Sequence, residues 1–331
     1  MSVDYIDTNR IFSISDDQEF EAISLEVFKY QVQHCQVYGR FVANLGINLD
    51  LVKDHKSIPY LPIEFFKSQK IYCGTALADE IFSSSGTSGM AQSQHLVKDI
   101  SVYIESYRKA FQLFYGDISK YAILALLPSY QEREGSSLIY MVNDFIGLSN
   151  QLKSGYFLYN HQSLADTLTE LKEGKIPTLL IGVTYALLDF VESHSIEFPE
   201  LIVMETGGMK GKRKEILRTE LHQILCEGFG VPVIHSEYGM TELLSQAYSK
   251  GGGIFHCPPW MKVITRDTND PLSLLAHEQT GGINIIDLAN INSCSFLATQ
   301  DLGRTFHDGS FEILGRYDNS DIRGCNLLVQ G

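Results

Sequence analysis

The apolar positions of this chain follow two different periods, and the change between them outlines the fold. Over residues 17–46, Phe20, Ile23, Val27, Val32 and Phe41 recur at roughly helical spacing, which predicts a helical segment within residues 1–58. Ile58-Pro59-Tyr60-Leu61-Pro62 breaks that period, because each proline fixes φ and removes a backbone donor, and it reads as extended chain. Beyond it, short apolar runs alternate with amphipathic stretches. Residues 121–127 (ending at Pro128), 178–183, 201–205 and 231–235 predict strands, and 185–193, 212–227 and 241–248 predict helices. Strand–loop–helix alternation implies an α/β fold with a substantially parallel sheet. From about Gly282 the helical period is lost, and 283–288, 295–298 and 311–314 predict short strands. The expected organisation is a helical N-terminal segment (1–58), an α/β core (59–281), and a small β subdomain with the C-terminal tail (282–331).

Composition narrows the function. At 331 residues and 44% hydrophobic content, the chain can bury a large core without disulfides or metals. Its net charge of −14 argues against a grip on nucleic-acid phosphates, which needs clustered Lys and Arg. It does not oppose a nucleotide site, which is built locally from backbone N–H groups and one or two cations. Six cysteines are scattered without a CxxC pair, so a zinc site is not expected. Asp4, Asp7, Asp16, Asp17 and Glu19 exclude a secretory signal over the first twenty positions. The longest apolar stretch, 176–191, contains Thr178, Thr184 and Asp189 and is too short and polar to span a bilayer. A cytoplasmic protein with reduced thiols is expected.

Several loops carry chemistry. Ser83-Ser84-Ser85-Gly86-Thr87-Ser88-Gly89 alternates hydroxyls with glycines, so backbone N–H groups can converge on an anion while the hydroxyls add donors. The bland alternative is a Gly/Ser linker. No GK[ST] follows, so it is not a Walker A loop. Ser236-Glu237-Tyr238-Gly239-Met240-Thr241-Glu242 stands between a predicted strand and a predicted helix. It offers an aromatic face for a purine, a hydroxyl for a phosphate, and in Glu242 a carboxylate suited to Mg²⁺. Its alternative is a helix start capped by Thr241. Thr206-Gly207-Gly208-Met209-Lys210-Gly211 follows another predicted strand. Thr299-Gln300-Asp301-Leu302-Gly303 and Gly315-Arg316-Tyr317-Asp318 place an acid and a cation in predicted loops, where they suit ribose hydroxyls.

In order, SSGTSG, TGG, YGMTE, TQDLG and GRYD resemble the adenylate-forming enzymes, which include acyl-CoA synthetases and luciferases; the match runs from about Ile81 to Arg316. The resemblance implies that class's N-terminal-domain fold, with β-sheet subdomains and a small C-terminal β region. It assigns ATP phosphates to the loop Ser84–Gly89, chiefly Thr87 and Ser88. Adenine, the α-phosphate and magnesium fall to Ser236, Glu237, Tyr238, Gly239, Thr241 and Glu242, with Gly207 and Gly208 beside them, and ribose to Asp301 and Arg316. A narrower resemblance rests on Pro59-Tyr60-Leu61-Pro62, Leu127-Pro128-Ser129-Tyr130 with Arg133 and Gly135-Ser136-Ser137, Glu205-Thr206-Gly207-Gly208-Met209-Lys210-Gly211, and Asp321-Ile322-Arg323-Gly324-Cys325. These segments are similar to the acyl-protein synthetase family, that of the long-chain-fatty-acid–luciferin-component ligase. The similarity implies that a fatty acid is adenylated, moved to a cysteine (here Cys325), and passed to a protein partner such as a reductase or carrier.

The chain departs from the wider class in two places. Ala91, Gln92 and Ser93 stand where many members have Pro-Lys-Gly, so a phosphate-facing lysine is missing and Lys210 is the candidate replacement. The sequence also stops 15 residues after Arg316, so the C-terminal lid domain of most members is expected to be absent. Three functions follow: an acyl-protein synthetase, a CoA ligase resembling phenylacetate–CoA ligase, or a nucleotide-binding homologue without catalysis.

Overall fold

The computed structural model describes residues 5–85, 91–129, 134–207 and 216–316. Near the N-terminus, α1 (Thr8–Ile11) precedes α2 (Asp17–His34), whose first turn is closed by the Asp16 carboxylate accepting from the N–H groups of Gln18 and Glu19. The helix expected across 17–46 is interrupted at Cys35, which is extended (φ −98°, ψ 101°) and forms an isolated bridge with Cys73, and α3 (Gln36–Asn44) resumes beyond it. The proline-bounded segment supplies β1 (Leu61–Pro62), followed by the short α4 (Phe65–Ser68) and the hairpin β2 (Glu80–Ser83) and β3 (Gln94–Val97).

The α/β core follows. α5 (Ile100–Tyr115) leads to β4 (Ala122–Leu126), α6 (Ser137–Leu148), β5 (Gly155–Tyr156), α7 (His161–Glu173), β6 (Thr178–Val183), α8 (Thr184–Val191), β7 (Ile202–Thr206), α9 (Arg218–Phe229) and β8 (His235–Tyr238). The strands lie in the order β5-β4-β6-β7-β8, all parallel, with β9 (Ala247–Ser249) antiparallel at the edge. Every residue of β4 and β6 is buried, as expected for strands covered on both faces. Ring contacts join α5 to α6 through Tyr107 and Phe145, while Phe190 of α8 stacks on Phe229 of α9 at 5.5 Å. Helix α9 stops at Gly230 (φ +63°), where a Cβ would lie 2.8 Å from the Cα of Glu197.

A second, largely antiparallel sheet runs β10 (Ile254–Phe255), β14 (Phe311–Arg316), β13 (Phe296–Thr305), β12 (Gly281–Asp287) and β11 (Met261–Arg266), with β1 parallel to the start of β13. Chain from both sides of residue 282 therefore enters this sheet. Among the described residues, no helix is long and apolar enough to cross a membrane.

Three sequence expectations are corrected. The strand expected at 231–235 is displaced to His235–Tyr238, since Pro232 lacks the N–H that a central parallel strand must donate. The helix expected at 241–248 is a turn followed by β9. The N–H groups of Leu244 and Ser245 are taken by the Asp287 carboxylate at 2.7 and 3.0 Å, and residues 242–249 are buried without a break, which leaves no polar face for a surface helix. Thr241 therefore caps no helix. Asp301 and Arg316, expected in loops, lie within β13 and β14 and face each other across that pair.

Candidate functional site

The carboxyl ends of β4, β6, β7 and β8 open toward one region, the usual position of a ligand in an open α/β sheet. Gly207 follows β7 with φ +73°, a conformation that costs glycine little. At the end of β8, a Cβ on Gly239 would sit 2.4 Å from Glu237 Oε1, so a larger residue there would displace the Glu237 carboxylate. The Glu237 carboxylate in turn receives the Thr206 hydroxyl at 2.5 Å, locking the ends of β7 and β8 together. On the neighbouring side chain of β8, the buried Ser236 hydroxyl lies beside Glu205. Glu205 also accepts from Thr184 at 3.2 Å and lies 3.7 Å from His222 Nε2.

The two sheets meet at Tyr238. Its hydroxyl donates to Asp301 Oδ2 at 2.7 Å, and Arg316 Nε lies 3.4 Å from Asp301 Oδ1. The Tyr238 ring is held edge-on by Phe255 and Phe311 at 5.9 and 5.5 Å. Burial pushes the Asp301 carboxyl up from its ordinary value, against the Tyr238 hydrogen bond and the Arg316 charge. Burial, reinforced by Asp301, holds the Tyr238 phenol well above its ordinary value and therefore protonated.

The hairpin β2–β3 brings Ser84 to the same place. Ser84 N donates to Ser93 O at 3.1 Å and Ser93 N to Ser84 Oγ at 2.9 Å, closing the base of the loop. The Ser93 side chain lies beside the buried Glu242 carboxyl. Burial raises that carboxyl above its ordinary value; Ser93, Arg316 and Lys67 work in the opposite direction. Ser84 and Glu242 thus share Ser93 as a neighbour, and Arg316 of the Tyr238–Asp301–Arg316 group lends its charge to Glu242. Ser85 continues from Ser84; Gly86, Thr87, Ser88, Gly89, Gly208, Lys210 and Cys325 lie outside the described residues.

A magnesium ion bound to a nucleotide needs few protein ligands, because phosphates and waters complete its octahedron. A single buried carboxylate beside a hydroxyl, as at Glu242, fits that requirement. A site built from protein alone is a different matter: among the described residues, no group of three or more His, Cys, Asp or Glu side chains is placed to hold a metal.

The structure adds residues that the sequence did not single out. His95 of β3 is buried with Nδ1 2.8 Å from the Thr241 carbonyl and Nε2 3.1 Å from Ser293 Oγ. A carbonyl only accepts, so Nδ1 carries the proton. Asn290 Nδ2 donates to the Glu242 carbonyl at 2.7 Å, and its Oδ1 faces Ser293 Oγ at 2.7 Å. Ser293's one proton serves either His95 or Asn290. Two consecutive carbonyls of the 241–242 turn are therefore held by side chains from β3 and from the segment between β12 and β13. Lys67 of α4 brings a positive charge toward Glu242 from an element with no motif of its own. Nothing in their sequence neighbourhoods marks His95 and Asn290, because the carbonyls they hold are 146 and 48 positions away.

No family model matches this chain, and no curated protein matches it in sequence. Among solved structures it is similar to ATP-bound MatB from Rhodopseudomonas palustris, at 16% identity and a TM-score of 0.54, over 73% of this chain and 49% of MatB. It is also similar to 2-hydroxyisobutyryl-CoA ligase (HCL) in the postadenylation state with R3-HIB-AMP, at 11% identity and a TM-score of 0.67, over 96% of this chain and 73% of HCL. The open conformation of HCL with 2-HIB-AMP and CoA gives 12% identity and a TM-score of 0.65, over 92% and 70%. The chain spans about half the length of MatB. At these identities the likeness establishes the fold: an α/β fold with β-sheet subdomains, that of the N-terminal domain of adenylate-forming enzymes.

Proposed function

We propose that this chain binds ATP with Mg²⁺, activates a carboxylic acid as an acyl-adenylate, and passes the acyl group to a thiol. The reading rests on the contact chain from Ser84 through Ser93 to Glu242, beside the Tyr238–Asp301–Arg316 junction. One region thereby offers hydroxyls for phosphates, a buried carboxylate for magnesium, an aromatic ring for adenine, and a carboxylate that accepts from ribose hydroxyls. Asp301 already accepts one hydroxyl, from Tyr238, and its remaining lone pairs suit the ribose pair.

In the first half-reaction, a carboxylate oxygen of the acid attacks the α-phosphorus of ATP. An O–P bond forms, and the bond to pyrophosphate breaks. Magnesium, when bound, neutralises phosphate charge; Glu242 supplies its protein oxygen, and the 84–89 loop orients the phosphates with N–H and hydroxyl donors. In the second, a thiolate attacks the acyl carbonyl carbon; a C–S bond forms, the C–O bond to the phosphate breaks, and AMP leaves with that oxygen still on its phosphorus. Similarity to the acyl-protein synthetases makes Cys325 the thiol, a fatty acid the substrate, and a reductase or carrier the final acceptor. Lys210 is the proposed phosphate-facing cation, with Lys67 a second candidate. A CoA acceptor is the alternative, favoured by the likeness to HCL, a CoA ligase whose complex holds 2-HIB-AMP and CoA.

The test is acid-dependent ATP–pyrophosphate exchange over a panel of carboxylic acids that includes long-chain fatty acids, followed by labelled acid with and without CoA. Hydroxylamine-labile label on the protein supports the cysteine acceptor, and label on CoA supports the ligase. No exchange with any acid, from a protein that still binds ATP, would sink the catalytic reading.

A further inference from the structure

We propose that Cys35 and Cys73 form a covalent modification site, a dithiol that a hydroperoxide converts into an intramolecular disulfide. The two residues face each other across an isolated antiparallel bridge at the break between α2 and α3. The flanking bond runs from Gly74 N to His34 O at 3.3 Å, so Cys35 and Cys73 occupy a non-hydrogen-bonded pair, where facing side chains come closest. Such pairs have Cα atoms roughly 4.5 Å apart, inside the disulfide range of about 4.4–6.8 Å. The two thiols interact with each other, and both residues are buried. Interaction with Cys73 holds the Cys35 thiol below its ordinary pKa, against the effect of burial, which marks Cys35 as the member that ionises first.

The neighbouring thiol is differently engaged. Cys294 Sγ is directed at the Phe296 carbonyl at 3.4 Å, and burial keeps it protonated. The pairing is therefore Cys35 with Cys73. In the first step the Cys35 thiolate attacks one peroxide oxygen. The O–O bond breaks, an S–O bond forms, and hydroxide (or alkoxide) leaves with the electron pair. In the second, the Cys73 sulfur displaces the sulfenic oxygen; the S–S bond forms, and oxygen leaves as water with the Cys73 proton. Hydrogen peroxide is the smallest oxidant of this class and suits a buried pair.

The bond has a defined structural consequence. Cys73 N donates to Asn292 O at 2.8 Å, and its thiol faces the carbonyls of Ile291 and Ser293 at 3.6 and 3.5 Å. Oxidation ties the N-terminal helices covalently to residue 73. It also withdraws a thiol donor from the 291–293 segment, whose Ser293 meets His95.

The experiment exposes the native full-length protein to hydrogen peroxide, quenches it, and counts thiols in denaturant before mapping peptides. The expected result is a fall from six to four titrating thiols, a crosslinked pair containing residues 35 and 73, and full reversal by dithiothreitol. Cys294→Ser should leave the crosslink intact, and the oxidised wild type should melt at a higher temperature than the reduced form. Six thiols retained after treatment, a crosslink to Cys294, or sulfinic acid at Cys35 without a crosslink would each overturn the assignment. The mapping uses the wild-type chain, so it stands whether or not Cys35→Ser folds.

Discussion

Tyr238 Oη donates to Asp301 Oδ2 over 2.7 Å, joining the last residue of β8 in the parallel sheet to β13 in the antiparallel one. Asp301 is mostly buried, so removing its donor leaves a carboxylate with weaker compensation. Tyr238→Phe is expected to cost about 1.5–3 kcal/mol, the range for hydrogen bonds to charged groups. In a double-mutant cycle with Asp301→Asn, unfolding in urea should give a coupling of roughly 1 kcal/mol or more. Strictly additive effects would show that the two side chains do not support one another.

Asp301 also carries a functional expectation. If it accepts from ribose, Asp301→Ala raises the apparent KM for ATP much more than that for the acid. Equal shifts in both constants would point to a general loosening of the sheet junction instead.

Glu242 separates function from stability. Burial raises its carboxyl above the ordinary value, so the ionised form is costly to the folded state in the absence of a cation. Glu242→Gln removes that cost and the metal ligand together. Pyrophosphate exchange should fall to background while the melting temperature holds or rises. Wild-type exchange in the variant would exclude Glu242 as the magnesium ligand.

The 241–242 turn is held by its carbonyls. Asn290→Ala deletes the donor to the Glu242 carbonyl and leaves that buried oxygen without its partner, with an expected cost of about 1–3 kcal/mol in unfolding free energy. A loss below a few tenths of a kcal/mol would mean that the turn is fixed without this bond.

Two histidines, His95 buried and His235 partly buried, set the acid response. Burial lowers His95 and His235 to about 4 from an ordinary value of 6.5. The unfolded chain therefore binds more protons between these values, and stability present above pH 6.5 is lost as pH falls toward 4. The shift at His95 corresponds to roughly 3 kcal/mol at most; His235, only partly screened from water, contributes less. Burial raises Asp287 to about 6, which acts the other way by favouring the folded state as pH drops below 6. His235→Gln should flatten the fall in melting temperature from pH 6.5 to 4. An unchanged slope would remove His235 from this account.

The sequence by itself determined the strands of the parallel sheet wherever a continuous apolar run met a punctuating residue. Residues 178–183 and the runs ending at Pro128 and Gly207 emerge as β6, β4 and β7, because strands buried on both faces need apolar residues at every position. It also determined the order of the Gly- and Ser-rich motifs, since those loops need small residues whatever surrounds them. Tertiary structure decided the rest. Residues 241–248 carry a helical period, yet Asp287, some forty positions later, takes the N–H groups that a helix would have used. Asp301 reads as a loop acid until β14 pairs with its strand. His95 and Asn290 have no local signature at all, because a side chain that hydrogen-bonds a distant carbonyl is chosen by the chain folded against it rather than by its neighbours in sequence.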